Sequence, residues 1–587
     1  MKRKTVMKVI TVLLVLILAV TAVWARGKTE PVTAAEEKVA PGVPQYGGTF
    51  TAFIRHFQDD PPGPDMADAH RGSFHWLDHL LQKPVIGDYE TVGPIGNGAY
   101  PFQLLGAVPD KYQKGNLLES WEISFEKLVW HVRPGIHWAP TEHQSAWMEP
   151  RELTAQDLAL DIKEFVQSAY KRRFEGLLVA DGVKVIDKYT LEIYFDKRYS
   201  ADLFYFLGYE DRSVVSAPEM AAVPGRAAKW ENQVTTGAYM FEEHVIGSHM
   251  SMVKNPNFWK KWTFKGKEYQ LPFIDRVVLP IIPDPATRLA AMKTGKGDLH
   301  VDMPAEYWNT LDKSAPDLKK NNIAGGTGNR LGLRCDIPPF DDVKVRRAMM
   351  IGTDLEKHQY VWLASGMPIH YYPIIPGHPA YTPLEELPED IRILYDYNPE
   401  LAKKMLAEAG YPDGFKIDFH TDSTNPKAMD LASLVADQWA KIGVKVTIKT
   451  ADQVEHTRKK YSHPPIWTGS FWDNIMEASA TRMFTMYHKS GVDLNYMAYS
   501  SPELDALCEQ MEKELDVTEQ DRQIKEAGFV LMRDVPAIPV SIKPQRIYWW
   551  PWLKNYYGSY TIQDDCNFAE MIPYMWIDKD LKKKMGY

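Results

Sequence analysis

Residues 281–301 read IIPDPATRLAAMKTGKGDLHV, and the order of residue types in this stretch sets the fold class. The apolar run that ends at Ile282 reads as a strand, and Pro283 breaks it. Asp284 before Pro285 is a helix start. It puts an acceptor side chain at the cap position, then a residue whose missing N–H costs nothing in the first turn. Arg288 to Lys293 continues as helix, Gly295 or Gly297 ends it, and Leu299 to Val301 resumes a strand. The unit is strand, helix, strand, with no glycine loop at the turn to cradle a phosphate.

Two further units lie downstream. Asn398-Pro-Glu caps ELAKKMLAEAG, which closes on Gly410 before the strand FKIDFHT. KAMDLASLVADQWAKIG then forms an amphipathic helix ending at Gly443, and VKVTIKT is the next strand. Such alternation predicts mostly parallel sheets with helices on both faces, in two groups around residues 275–301 and 330–450. Upstream the pattern differs. Residues 46–54 alternate as an opening strand, and a proline-rich loop follows at 55–72. SWEISFEKLVWHVRPGIHW (120–138) and KVIDKYTLEIYF (184–195) read as antiparallel hairpins, and Thr154-Ala-Gln-Asp157 is a capping box.

Composition narrows the function classes. The chain has 587 residues, 45% of them hydrophobic, enough for two or three domains of about 150 residues each. Residues 1–25 carry a basic start, an apolar run from Val9 to Val23, and small residues at Val23 and Ala25, the pattern of an export signal. An uncleaved anchor is the competing reading. No cysteine lies near the cut, so a lipid-anchored form is not expected. Residues 26–45 read as a flexible linker. The formal charge is −9; removing Lys2, Arg3, Lys4 and Lys8 with the signal makes it −13. An acidic body disfavours nucleic acid as a partner. Cys335, Cys508 and Cys566 permit at most one disulfide, so packing must hold the fold.

Six groups of motifs, taken in order, resemble the family 5 extracellular solute-binding proteins of ABC importers, the dipeptide, oligopeptide and nickel receptor group. They are Leu117-Leu-Glu-Ser-Trp-Glu122 with Val132-Arg-Pro-Gly-Ile-His-Trp138, Leu153-Thr-Ala-Gln-Asp157, and Thr236-Gly-Ala-Tyr239 with Lys254-Asn-Pro-Asn-Phe-Trp259. Ile282-Pro-Asp-Pro-Ala-Thr-Arg288 with Lys296-Gly-Asp298, Pro338 to Arg346, and Ala407 to Gly414 complete the set. The resemblance implies an α/β, two-lobed periplasmic-binding-protein-like fold, type II and cluster C in style, with an extra subdomain on lobe I. Lobe I is expected at 46–75, 230–325 and 541–587, the subdomain at 76–229, and lobe II at 330–540. The chain would cross between lobes at 324–332 and 534–544. The unit at 281–301 is then scaffold, and the ligand sits between lobes.

The resemblance also implies a site. In peptide-binding members a lobe II aspartate in a segment like Asp-Tyr-x-Asp-Pro pairs with the ligand's amine. The corresponding segment here is IWTGSFWDNIMEAS (466–479), where Asp473 is the nearest match, beside Trp472 and Asn474. The tyrosine and second Asp-Pro are absent, which opens a second ligand class: an oligosaccharide stacked on Trp467 and Trp472, with Asp473 and Asn474 on its hydroxyls. Asn329, Arg330 and Arg334 flank the first crossing, where an arginine can meet a ligand carboxylate bidentately. His56 and His70 lie in the long loop; His75 and His79 stand four apart around Asp78, a metal-like spacing without a third ligand. No metal and no cofactor is expected. The chain carries no H-E-x-x-H, G-x-S-x-G or Walker motif, so a non-catalytic receptor is the reading, with a glycoside-acting enzyme the rival because that chemistry needs only two carboxylates. Expected partners are a peptide or oligosaccharide and the transmembrane subunits of an ABC permease, with the protein exported to the periplasm or cell surface as a monomer.

Overall fold

The structure is a computed structural model that describes residues 42–53, 81–103, 108–167, 178–196, 201–209, 213–223, 229–323, 327–361, 369–460, 462, 466–476, 479–542, 545–561, 568 and 570–587. The export signal, most of the linker and the four histidines at 56–79 lie outside the described residues. No described helix is long and apolar enough to cross a membrane.

Three sheets organise residues 46–587. The largest has seven strands, in the order Lys319–Ile323, Gln545–Trp549, Leu299–His300, Thr49–Phe53, Arg276–Pro280, His249–Lys254 and Tyr239–Val245. The unit at 281–301 builds its centre. Asp284 caps the helix Pro285–Lys293 by accepting the Thr287 N–H at 2.8 Å. The strands before and after that helix pair in parallel with opposite sides of Thr49–Phe53. The outer strands add antiparallel, so the sheet is mixed where the sequence pattern suggested a mostly parallel one. Residues 548–552, YWWPW, run from this sheet's strand Gln545–Trp549 into its packing: Trp550 stacks on Trp552 with ring centroids 4.5 Å apart, and the Trp552 indole N–H donates to Asp298 at 2.7 Å.

The second sheet has five strands, in the order Val444–Ala451, Phe415–Asp422, Ser470–Met476, Thr327–Leu333 and Ala537–Ile542. The first three are parallel and the last two add antiparallel. The helix Pro426–Lys441 covers one face because its apolar residues recur at helical spacing: Ala428, Leu431, Ala432, Val435 and Trp439 are all buried. Asn425 caps it, accepting from the N–H groups of Lys427 and Ala428. Asn398 caps Pro399–Glu408 and Asp342 caps Val343–Ile351 in the same way. The third sheet, with four antiparallel strands from Leu118–Ile123 to Thr190–Phe195, contains both predicted hairpins. The helix Ala155–Gln167 contacts it, with Asp157 accepting the Thr154 N–H at 2.8 Å.

Strand register fixes how the two larger sheets meet. The chain passes between them twice, after Ile323 and after Ile542, and the described residues that flank the two passages pair with one another: Ile323 with Gln545, and Gly328 with Ile542. Thr327 pairs with Met476, so both passages leave the five-stranded sheet at the edge where its parallel strands end. On the other sheet, Ile323 and Gln545 lie at the edge where Thr49–Phe53 and Leu299–His300 end. Carboxyl edges of the two sheets therefore meet at a double crossing. Pro539 opposes Arg330 there, and the register shifts between Asn329 and Arg330, as a residue without an N–H donor requires of a ladder.

Candidate functional site

The carboxyl edge of the five-stranded sheet carries an open pocket of about 590 Å³. Its wall is built by the ends of two strands with the segments that follow them, and by the middle of a third strand, Ser470–Met476. Asp422, Thr424, Asn425 and Pro426 come from the first; Gln453, His456, Thr457 and Lys460 from the helix Gln453–Lys460; Trp472 and Asp473 from the third. Ligands of open α/β sheets sit outside strand carboxyl ends because the chain there turns into loops and helix N-termini that expose polar groups.

Asp473 is the electrostatic centre. Its side chain has no exposure, and one carboxylate oxygen lies 2.7 Å from both Nε and Nη2 of Arg330, itself 1% exposed. The other oxygen pairs with Lys460. Burial alone would raise the carboxyl, but the Lys460 and Arg330 cations beside it hold it far below the usual carboxylate range. One anion thus faces two cations. Aromatic faces take up part of the surplus positive charge: the Arg330 guanidinium lies 5.4 Å from the Tyr372 ring centroid, and Lys460 Nζ lies 5.1 Å from that of Tyr496. Behind Arg330, His488 Nδ1 donates to the Met483 carbonyl at 2.6 Å, which leaves Nε2 to accept from the Tyr372 hydroxyl. Burial, with Arg330 nearby, pushes the His488 imidazole down to about 3, so it is neutral.

The remaining sequence-derived candidates hold the scaffold together. The Asn329 amide donates to Ser541 Oγ at 3.1 Å and its oxygen accepts the Trp472 indole N–H at 3.1 Å. Tyr371 ties the same strands by donating to the backbone carbonyls of Asn329 and Ser541. Arg334 grips Asp336 bidentately at 2.7 and 2.8 Å. Trp467, 1% exposed, stacks on Phe471 at 4.8 Å and contributes nothing to the pocket wall, so of the two candidate sugar-stacking rings only Trp472 reaches it. Asn474 pairs through its backbone with Asn329. Asp422, His456 and Lys460 escaped the sequence reading. The run Asp422-Ser-Thr-Asn-Pro426, an Asx turn leading into a helix cap at a strand end, is the signal that marks the pocket in retrospect.

His456 is 6% exposed, and its Nε2 lies 3.1 Å from the Trp472 carbonyl. A carbonyl only accepts, so the proton sits on Nε2. Burial lowers this imidazole's pKa and keeps it neutral, leaving Nδ1 a bare acceptor with no protein partner. Asp422 is 5% exposed; one oxygen accepts from the Thr424 N–H at 2.8 Å and the Thr424 hydroxyl at 2.6 Å. The Cys335 thiol is free.

Comparison with known proteins agrees with this architecture. Residues 113–492 match the family described as bacterial extracellular solute-binding proteins, family 5 Middle. The chain is 27% identical to Heme-binding protein A of Haemophilus influenzae over 456 residues, covering 72% of this chain and 78% of that protein. It is 27% identical to the Dipeptide-binding protein of Escherichia coli over 412 residues, 64% of this chain and 72% of that protein. Among solved structures, HbpA2 from Haemophilus parasuis superposes with a TM-score of 0.71 at 17% identity, covering 91% of this chain and all of that one. The periplasmic binding protein DppA from Helicobacter pylori, in complex with the peptide STSA, gives 0.64 at 18% identity over 91% and 99%.

Proposed function

Because the chain belongs to the family 5 extracellular solute-binding proteins of ABC importers, we propose that it captures a peptide-like small solute between two lobes and delivers it to a membrane permease. The lobes are read as 46–75, 230–325 and 541–587 for the first, with 76–229 as its appended subdomain, and 330–540 for the second. One observation carries the reading: the polar pocket at Asp422, His456 and Asp473 lies on the same sheet edge from which both crossings depart. A solute in that pocket contacts one sheet directly and faces the other, so binding couples to rotation about two adjacent strands. The energetics permit this. Shifting an open-to-closed ratio from 1:99 to 99:1 takes about 5.5 kcal/mol of preference, and a micromolar ligand supplies about 8 kcal/mol.

The basic start and apolar run of residues 1–25 support export, and with it action outside the cytoplasm, and a chain that works by closing on its guest needs no catalytic group. Relatives named for heme, dipeptide, oligopeptide and glutathione set the panel to test. The oligosaccharide alternative has weaker support, since among the described residues Trp472 is the one tryptophan, tyrosine or phenylalanine that lines the pocket. Native mass spectrometry of the freshly purified chain, followed by thermal titration with di- and tripeptides, haem and oligosaccharides, tests the proposal. A retained or titrated solute that raises Tm by several degrees supports it. No binding by any of these, together with turnover of a glycoside, overturns it.

A further inference from the structure

The pocket contains two carboxylates in different electrical states, and the difference identifies the ligand group. Asp473 is spent: both its oxygens face protein cations, and its side chain has no exposure. Bringing a ligand ammonium to it would put a third cation around one anion in the interior, where unpaired charge costs several kcal/mol. Asp422 is the opposite case. Thr424 holds one of its oxygens through two hydrogen bonds, and among the described residues no lysine or arginine pairs with it and nothing donates to its second oxygen. His456 adds a second acceptor in the same wall, the unpartnered Nδ1 of a ring more than nine-tenths buried.

Resting on the receptor reading, we propose that Asp422 and His456 form the receptor for a protonated primary amine of the solute, the part that family resemblance gives to Asp473. A primary ammonium has three N–H donors and one positive charge. It satisfies the second oxygen of Asp422 and His456 Nδ1 together and neutralises the uncompensated carboxylate. The Trp472 ring, 5.7 Å from His456, adds a π face beside it. An anionic group would meet the Asp422 charge and the Nδ1 lone pair, and a neutral hydroxyl would leave Asp422 unpaired. Asp473, Arg330 and Lys460 then act as a positioning cluster, fixing the strand Ser470–Met476 against the helix Gln453–Lys460 that carries His456.

The amine can belong to a peptide N-terminus or an amino sugar. Calorimetric titration with trialanine against N-acetyl-trialanine, and with the glucosamine disaccharide against its di-N-acetylated form, separates the two sources. One free-amine probe is expected to bind, and its acetylation to weaken binding roughly 30-fold or more, the loss typical when one partner of a buried charge pair is removed. Asp422→Asn should abolish that discrimination, and His456→Gln should reduce it about 5-fold, the scale of a single neutral hydrogen bond. Far-UV circular dichroism checks that both variants fold, and the acetylation arm needs no variant. Equal binding of amine and acetamide, full discrimination in Asp422→Asn, or a co-purified solute with no amine overturns this assignment while leaving the receptor intact. Absence of any bound solute counts against both.

Discussion

Arg330 and Asp473 are backbone partners on adjacent antiparallel strands, and their side chains meet 2.7 Å apart with essentially no exposure to water. Such a pair is costly to break, because the survivor stays buried and uncompensated. Arg330→Met should lower unfolding free energy by about 3–5 kcal/mol, less whatever Lys460 recovers by remaining beside Asp473. Asp473→Leu should be as damaging, since it strands two cations. A double-mutant cycle by urea denaturation checks this: the double variant Arg330→Met with Asp473→Leu should be more stable than either single one.

Acid should weaken the fold earlier than its carboxylates alone would dictate. Burial pushes the imidazoles of His300 and His488 down to about 3 and those of His358 and His370 to about 4. A histidine of depressed folded pKa is neutral in the native chain and takes a proton in the unfolded one below about pH 6.5. Its contribution is therefore full above that pH and lost as pH falls toward the folded value, at no more than about 1.4 kcal/mol per pH unit per group. Asp473 adds its own loss only below about pH 4, where an unfolded aspartate protonates. Denaturant midpoints should decline steadily from pH 6.5 to 4.5; a profile flat down to pH 5 refutes the assignment.

The sheet-building units were legible because caps and periodicity are local. Asp284, Asn398 and the box at Thr154 each sit where their spacing puts them. The antiparallel outer strands were not, since His249–Lys254 and Gln545–Trp549 reach their places only through pairings with distant segments. The site divided along the same line. Asp473 was found through a motif, but its saturation by Lys460 and Arg330 joins residues 13 and 143 positions away, a relation that local spacing does not encode. Trp467 and Trp472 are equivalent in the sequence; the alternation of the strand and its approach separate them, turning one into the core beside Phe471 and the other toward the pocket.

That separation is testable. Trp467→Ala removes a ring fully enclosed by Phe471, His420 and His456. It should cost about 3–5 kcal/mol of stability, as large-to-small changes in cores do. Trp472→Ala should cost less stability and more affinity, because its ring lines the pocket and its N–H holds Asn329. Thermal unfolding and calorimetric titration of both variants should give opposite rank orders; the same order in both measurements means that neither ring meets the ligand.

Arg482 bridges two parts of the protein far apart in sequence. Its guanidinium lies 5.0 and 4.8 Å from the ring centroids of Tyr205 and Phe206, on a helix, Ala201–Gly208, that follows the four-stranded sheet in the chain. Arg482 itself starts from the helix Ala480–Thr485, directly after the strand that carries Asp473. Any rotation of the five-stranded sheet about the double crossing away from that helix must break this contact. A cation over two rings is worth about 0.5–2 kcal/mol, depending on how dry the contact is. Arg482→Ala should therefore shift the population toward the open form and weaken ligand binding about 2- to 30-fold, with little change in the chemistry of recognition. Small-angle scattering should show a larger radius of gyration for the unliganded variant than for the parent, converging once ligand saturates both. Identical radii without ligand would mean that the contact does not report on closure.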